Sequence, residues 1–151
     1  MSSKLTSTAG SKKISKFFSS SPEETEAIGR EIGRALHGDV VVCLSGDLGA
    51  GKTTFCKGLV AEVATLSPHI VNSPTFTYLN IYEGKRTLYH FDCYRLKGAE
   101  DFLERGFDEY FRELCLIEWP ENIAEALPEK RAHVQILYEG NDKRVIIYER
   151  D

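Results

Sequence analysis

Gly46-Asp47-Leu48-Gly49-Ala50-Gly51-Lys52-Thr53 is the stretch of this chain whose residue types and spacing most directly specify chemistry. It is a complete G-x-x-x-x-G-K-T. The glycines let successive backbone amides turn inward as a nest for an anion, Lys52 reaches the β and γ phosphates, and the Thr53 hydroxyl ligates magnesium. Without a ligand the same string is a glycine-rich turn with a solvated lysine. Its surroundings argue for the ligand: residues 39–45 form a short β-branched run that reads as a strand buried on both faces, and helical spacing resumes at Lys52 through Phe55, Leu59, Val60 and Val63. Strand, loop and helix is the context in which such a loop binds a nucleotide.

A phosphate-binding loop needs an acid to hold the magnesium or its water shell, at the end of a neighbouring buried strand. Glu118, after the apolar residues 114–117, is placed for that role, with a solvent-facing strand-end carboxylate as the plain alternative. In His90-Phe91-Asp92-Cys93-Tyr94-Arg95, alternation puts His90, Asp92 and Tyr94 on one face of a strand. Asp92 there could position water or magnesium and Arg95 could meet phosphate or an acidic partner, against an exposed polar face of a hairpin. Ser73 and Thr75, flanking Pro74 between the loop's helix and this hairpin, occupy the chain position where a switch loop senses the γ-phosphate. A plain Pro-containing turn fits the same residues. Trp119 stands beside Glu118 and can pack near a nucleotide, a partner or the core.

The elements that must position these residues are legible in outline. Ser21 can cap the amide of Glu24, Pro22 suits the first helical turn, and the apolar spacing of Ala27, Ile28, Ile32, Ala35 and Leu36 predicts a helix that Gly38 stops. Period-two alternation from Thr75 to Tyr94, around a Glu83-Gly84-Lys85 turn, predicts an antiparallel hairpin. Residues 99–111 are helical but interrupted by Gly106, so two short helices fit as well as one. Residues 114–118 form a second buried strand that Pro120 ends, and a last hairpin turns around Gly140 and Asn141. The expected fold is α/β, a single P-loop NTPase-like domain over residues 21–151 with a small mixed sheet flanked by helices. Residues 1–20, rich in Ser and Lys, read as a flexible tail.

Composition narrows the function classes. At 151 residues, 42% hydrophobic and 28% charged, the chain is one soluble globular domain with no apolar run able to span a membrane. Lys4, Lys12, Lys13 and Lys16 precede the first carboxylate at Glu23, so the body is more acidic than the net charge of −4 implies. An acidic body with interspersed cations argues against a broad nucleic-acid-binding face. Cys43, Cys56, Cys93 and Cys115 form no CxxC pair and sit in apolar segments, as buried reduced thiols of a cytoplasmic protein do, and no zinc site is expected.

The strings GDLGAGKTT, VNSPTF, HFDCYRL, GFDEYF and IEWPE, in this order over residues 22–150, resemble the bacterial TsaE (YjeE) P-loop ATPases. The resemblance implies an ATP- and Mg2+-dependent ATPase, weak alone and stimulated by partners. It implies support for turnover of a TsaB and TsaD complex that makes the threonylcarbamoyl modification of tRNA adenosine next to the anticodon, with tRNA met indirectly. It matches Lys52, Thr53 and Thr54 to the phosphate and magnesium residues, Asp92 and Glu118 to the acids, and Trp119 to the aromatic beside the site. A small-molecule P-loop kinase would share the loop and acid but needs an Arg-bearing lid that has no counterpart here. A non-hydrolysing nucleotide-binding docking module is the other alternative.

Overall fold

The computed structural model describes residues 3–10, 12–47, 49–72 and 74–150. The elements in chain order are β1 (Ser3–Ala9), β2 (Lys12–Ser19), α1 (Pro22–Ala35), β3 (Val41–Ser45), α2 (Lys52–Ala64), β4 (Leu79–Tyr82), β5 (Leu88–Asp92), α3 (Ala99–Glu104), β6 (Cys115–Glu118), β7 (Ala132–Tyr138) and β8 (Arg144–Arg150), with 3-10 turns at Pro68–Ile70, Phe107–Arg112 and Pro120–Ala126. The strands form one mixed sheet in the order β1-β2-β8-β7-β3-β6-β5-β4. β3 lies inside it, parallel to both β6 and β7, and β5 runs parallel to β6. The fold is therefore the expected α/β domain, with a sheet of eight strands rather than a small one.

Successive residues of β3 feed two cores. Val42 and Leu44 join Ile28, Ile32, Phe55 and Leu59 beneath α1 and α2, and Val41 and Cys43 join Phe91, Phe102, Ile117 and Ile123 on the opposite face. An unbroken apolar strand is what a strand covered on both sides requires. α1 and α2 pack at backbone distance: a side chain on Gly29 would collide with the Phe55 carbonyl, and one on Gly58 with the Glu26 carbonyl. The start of α1 is capped as expected, Ser21 Oγ accepting from Glu24 N at 3.1 Å, although the Glu24 carboxylate reaches back to Ser20 N at 3.0 Å rather than to the cap residue. The helix ends at Ala35, ahead of Gly38, because Leu36 turns out of helical geometry to bury its side chain. Residues 99–112 resolve the Gly106 ambiguity as two short elements, Gly106 itself having φ 75°.

The expected tail is corrected. Lys12–Ser19 is a strand, paired antiparallel with β8 along its length, and Phe17 is buried. Its inward positions are Ser15, Phe17 and Ser19, so two of the three are serines and the run lacks an apolar stripe. The open edge of β8 supplies the backbone partners that this polar sequence does not advertise. Among the described residues no helix is long and apolar enough to cross a membrane.

Candidate functional site

The loop between β3 and α2 turns through Gly49 at φ 81° and Gly51 at φ 105°, left-handed conformations that favour glycine. Gly51 is also the N-cap of α2, so the helix N-terminus, with its unpaired amides, opens directly onto the loop. Ala50 N donates to Asp47 O at 3.0 Å and closes the turn. Lys52 folds back across it. Its Nζ donates to Gly46 O at 2.6 Å and stands 3.8 Å from the centre of the Trp119 ring. Lys52 is 7% exposed, and burial lowers its pKa from the ordinary lysine value while the charges of Glu118 and Asp92 pull it back up.

The two acids meet across the sheet. Asp92 ends β5, Glu118 ends β6, and they are register partners in that parallel pair, each 3% exposed. Burial at this level separates Asp92 and Glu118 from the surface carboxylates that the sequence alone could equally describe. Asp92 is held from both sides: Thr75 Oγ1 donates to Oδ2 at 3.0 Å and Tyr94 N to Oδ1 at 2.9 Å. Glu118 Oε2 lies 2.7 Å from His90 Nε2. The other ring nitrogen, Nδ1, is buried and without a hydrogen-bond partner among the described residues. Cys56 Sγ, on α2, is 3.9 Å from the same Nε2. Cys56, His90 and Glu118 thus form a buried group of metal-ligand types, their ligand atoms all within 4.8 Å of one another, which sequence spacing gave no means of assembling.

A cleft of about 400 Å³ brings Gly49, Gly51, Lys52, Thr53, Thr54, Thr75, Asp92, Glu118 and Trp119 to one surface. Gly46, Asp47 and Ala50 line an adjoining groove, and Gly49 and Trp119 border both. Leu48 and Ser73, candidates for nucleotide contact and switching, lie outside the described residues. His90 and Asp92 share a buried face as alternation requires, but Tyr94 lies beyond the strand end, 46% exposed, its ring 4.9 Å from that of Trp119. Arg95 is 4.7 Å from the Phe76 ring at the surface rather than in the cleft. Trp119 has φ 57°, an uncommon conformation for a large side chain, and it directs the ring over Lys52.

One residue was missed. Arg144, at the start of β8, reaches the cleft, and its Nε donates to Ala50 O at 2.7 Å across 94 residues of sequence. No motif surrounds it, and only the antiparallel return of β8 beside β7 brings it to the loop. Chemically, the cleft offers a cation, a helix N-terminus and hydroxyls for phosphate, with oxygen donors at Thr53, Asp92 and Glu118. An all-oxygen donor set of this kind suits Mg2+.

Comparison with known proteins gives a consistent result. A family model described as "Threonylcarbamoyl adenosine biosynthesis protein TsaE" matches residues 19–146. The tRNA threonylcarbamoyladenosine biosynthesis protein TsaE of Bacillus subtilis is 43% identical over 130 residues, covering 84% of this chain and 80% of that protein. The protein of the same name from Treponema pallidum is 42% identical over 127 residues, covering 82% and 93%. A crystal structure of Bacillus subtilis YdiB superposes with a TM-score of 0.77 at 38% identity, covering 94% of this chain and 88% of that one.

Proposed function

Since the chain belongs to the TsaE family, with its role in tRNA threonylcarbamoyladenosine biosynthesis, we propose that it binds ATP with Mg2+ in the cleft at Lys52 and hydrolyses it to support turnover of a TsaB and TsaD complex. The observation that carries this reading is the meeting of a complete G-x-x-x-x-G-K-T loop, at the N-terminus of α2, with two buried carboxylates in register on adjacent strands. Either feature alone occurs without nucleotide chemistry. Together they supply the anion nest and the oxygen ligands that phosphoryl transfer needs.

In this reading the inward amides of the loop hold the β-phosphate, and Lys52 leaves the Gly46 carbonyl for the β and γ oxygens. Thr53, Asp92 and Glu118 would hold Mg2+, which neutralises charge on the phosphates when bound. Thr54 contacts phosphate from the next position of α2. Asp92, fixed by Thr75 and the Tyr94 amide, keeps one orientation for the water that attacks the γ-phosphorus as the bond to the β-bridging oxygen breaks. Thr75 is also the link to the surface: it is followed by Phe76, 79% exposed and stacked against Arg95. A γ-phosphate that engages Thr75 would move this aromatic and basic rim, so the ATP and ADP forms offer different docking surfaces. tRNA is reached only through the partners.

The test is turnover and association together. The protein alone should hydrolyse ATP weakly, TsaB and TsaD should stimulate it, and the ATP form should bind that pair more tightly than the ADP form. Absence of ATP binding by calorimetry overturns the site. Equal partner affinity of the two nucleotide forms removes the switch, because a ligand with no differential affinity shifts nothing.

A further inference from the structure

We propose that Arg144 is the platform on which the purine base of the bound nucleotide stacks, an inference that rests on the ATP-site reading and extends it to the nucleoside. The sheet order fixes direction. β5, with Asp92, lies two strands to one side of β3, and β8, with Arg144, lies two strands to the other. With neighbouring strands about 4.8 Å apart, the two residues start roughly 19 Å from each other along the same edge. Both nevertheless line one cleft, Arg144 reaching it against Gly51 of the loop. The phosphates and their cation occupy the end with Thr53, Asp92 and Glu118, so the nucleoside extends toward Arg144.

The arginine is built for a planar ligand. It is half-buried, its Nε donates to Ala50 O at 2.7 Å and its Nη1 to Asp142 O at 3.1 Å, and its guanidinium carbon lies 5.0 Å from the centre of the Tyr138 ring. These contacts fix the guanidinium plane relative to the phosphate loop itself. They use two of its five N–H donors. The fit to the loop is close: a Cβ on Gly51 would sit 2.7 Å from Arg144 Nε. A flat, delocalised cation held this way stacks on an aromatic ring, which a lysine at the same place does not. Stacking is indifferent to the hydrogen-bonding edge of the base.

The experiment compares Mg-ATP with Mg-tripolyphosphate, which has the phosphates and no nucleoside, by calorimetry on the full chain, with thermal melts to verify folding. In the wild type Mg-ATP should bind more tightly than Mg-tripolyphosphate. Arg144→Ala should weaken Mg-ATP about tenfold, the size of a lost base stack, and leave Mg-tripolyphosphate within about twofold. Arg144→Lys, which keeps the charge and loses the plane, should recover little of the Mg-ATP affinity. Equal weakening of both ligands would make Arg144 a phosphate contact or a loop support and overturn the proposal, as would full recovery with lysine or no change with alanine. Equal binding of the two ligands by the wild type overturns the platform and leaves the phosphate site standing, whereas binding of neither removes the ATP-site reading and the platform with it.

Discussion

Replacing Lys52 with alanine tests the phosphate site at its most buried cation. In the ligand-free protein the ammonium already has two partners: the Gly46 carbonyl at 2.6 Å and the Trp119 ring at 3.8 Å. A hydrogen bond to a charged group contributes about 1.5–3 kcal/mol and a desolvated cation–π contact about 2 kcal/mol. Binding ATP therefore exchanges these for charge-assisted bonds to two phosphates, and only the excess appears as affinity. That excess is about 2–3 kcal/mol, so Lys52→Ala should weaken Mg-ATP by roughly 30- to 150-fold. Calorimetry reads the loss, and Trp119, the single tryptophan of the chain, gives a second readout. In the wild type its emission should change as Nζ leaves the ring, and in the variant this nucleotide-induced change should vanish. A folded Lys52→Ala protein that binds Mg-ATP as the wild type does would refute the assignment.

Asp92→Asn and Glu118→Gln should each lower turnover by at least about tenfold while changing Mg-ATP affinity less, since the organisation of magnesium and water matters most as charge moves in the transition state; equal losses in single-turnover rate and binding would make the acid a binding group only. Gly58→Ala should destabilise the fold by about 1–3 kcal/mol in urea titrations, because its methyl meets the Glu26 carbonyl of α1, and a change under about 0.5 kcal/mol would show that the helices can part freely. All four cysteines are buried, and burial pushes the thiols of Cys43 and Cys115 up to about 12 and those of Cys56 and Cys93 upward as well, so a disulfide reagent at pH 8 should label none of them until the protein unfolds. The sign of their linkage follows: the folded thiols hold protons more tightly than unfolded ones, so this stability is complete below the ordinary value of 9.0 and declines as pH rises above it, which melts between pH 8 and 11 would detect.

The parts of the site that were legible in the sequence are those whose chemistry is local. The Gly46 to Thr53 loop carries its own backbone logic, and an apolar strand ending in an acid announces Glu118. The pairing of Asp92 with Glu118 is a register fact of β5 and β6, and neither strand states its partner. His90 looked like one of several polar residues on a hairpin face, yet it is 1% exposed and bonded to Glu118, because α2 covers that face. β2 resembles a tail in sequence because its buried positions are mostly serine, and Arg144 carries no local signal at all. Both depend on β8, whose two edges are occupied by β2 and β7.

That dependence orders the birth of the molecule on the ribosome. Lys13 pairs with Arg150 and Ser19 with Arg144, so β2 is made well before its neighbour toward the sheet centre, with α1, α2 and five other strands synthesised between them. Until β8 is made the β1 and β2 ribbon has no sheet to join, and its serines and lysines keep this waiting segment soluble where an apolar strand would invite aggregation. The guanidinium that latches the Ala50 carbonyl arrives with the same late strand. A nascent chain would thus complete the nucleoside end of its cleft only as β8 emerges, and nucleotide added during synthesis should protect the chain from proteolysis only after β8 has left the exit tunnel.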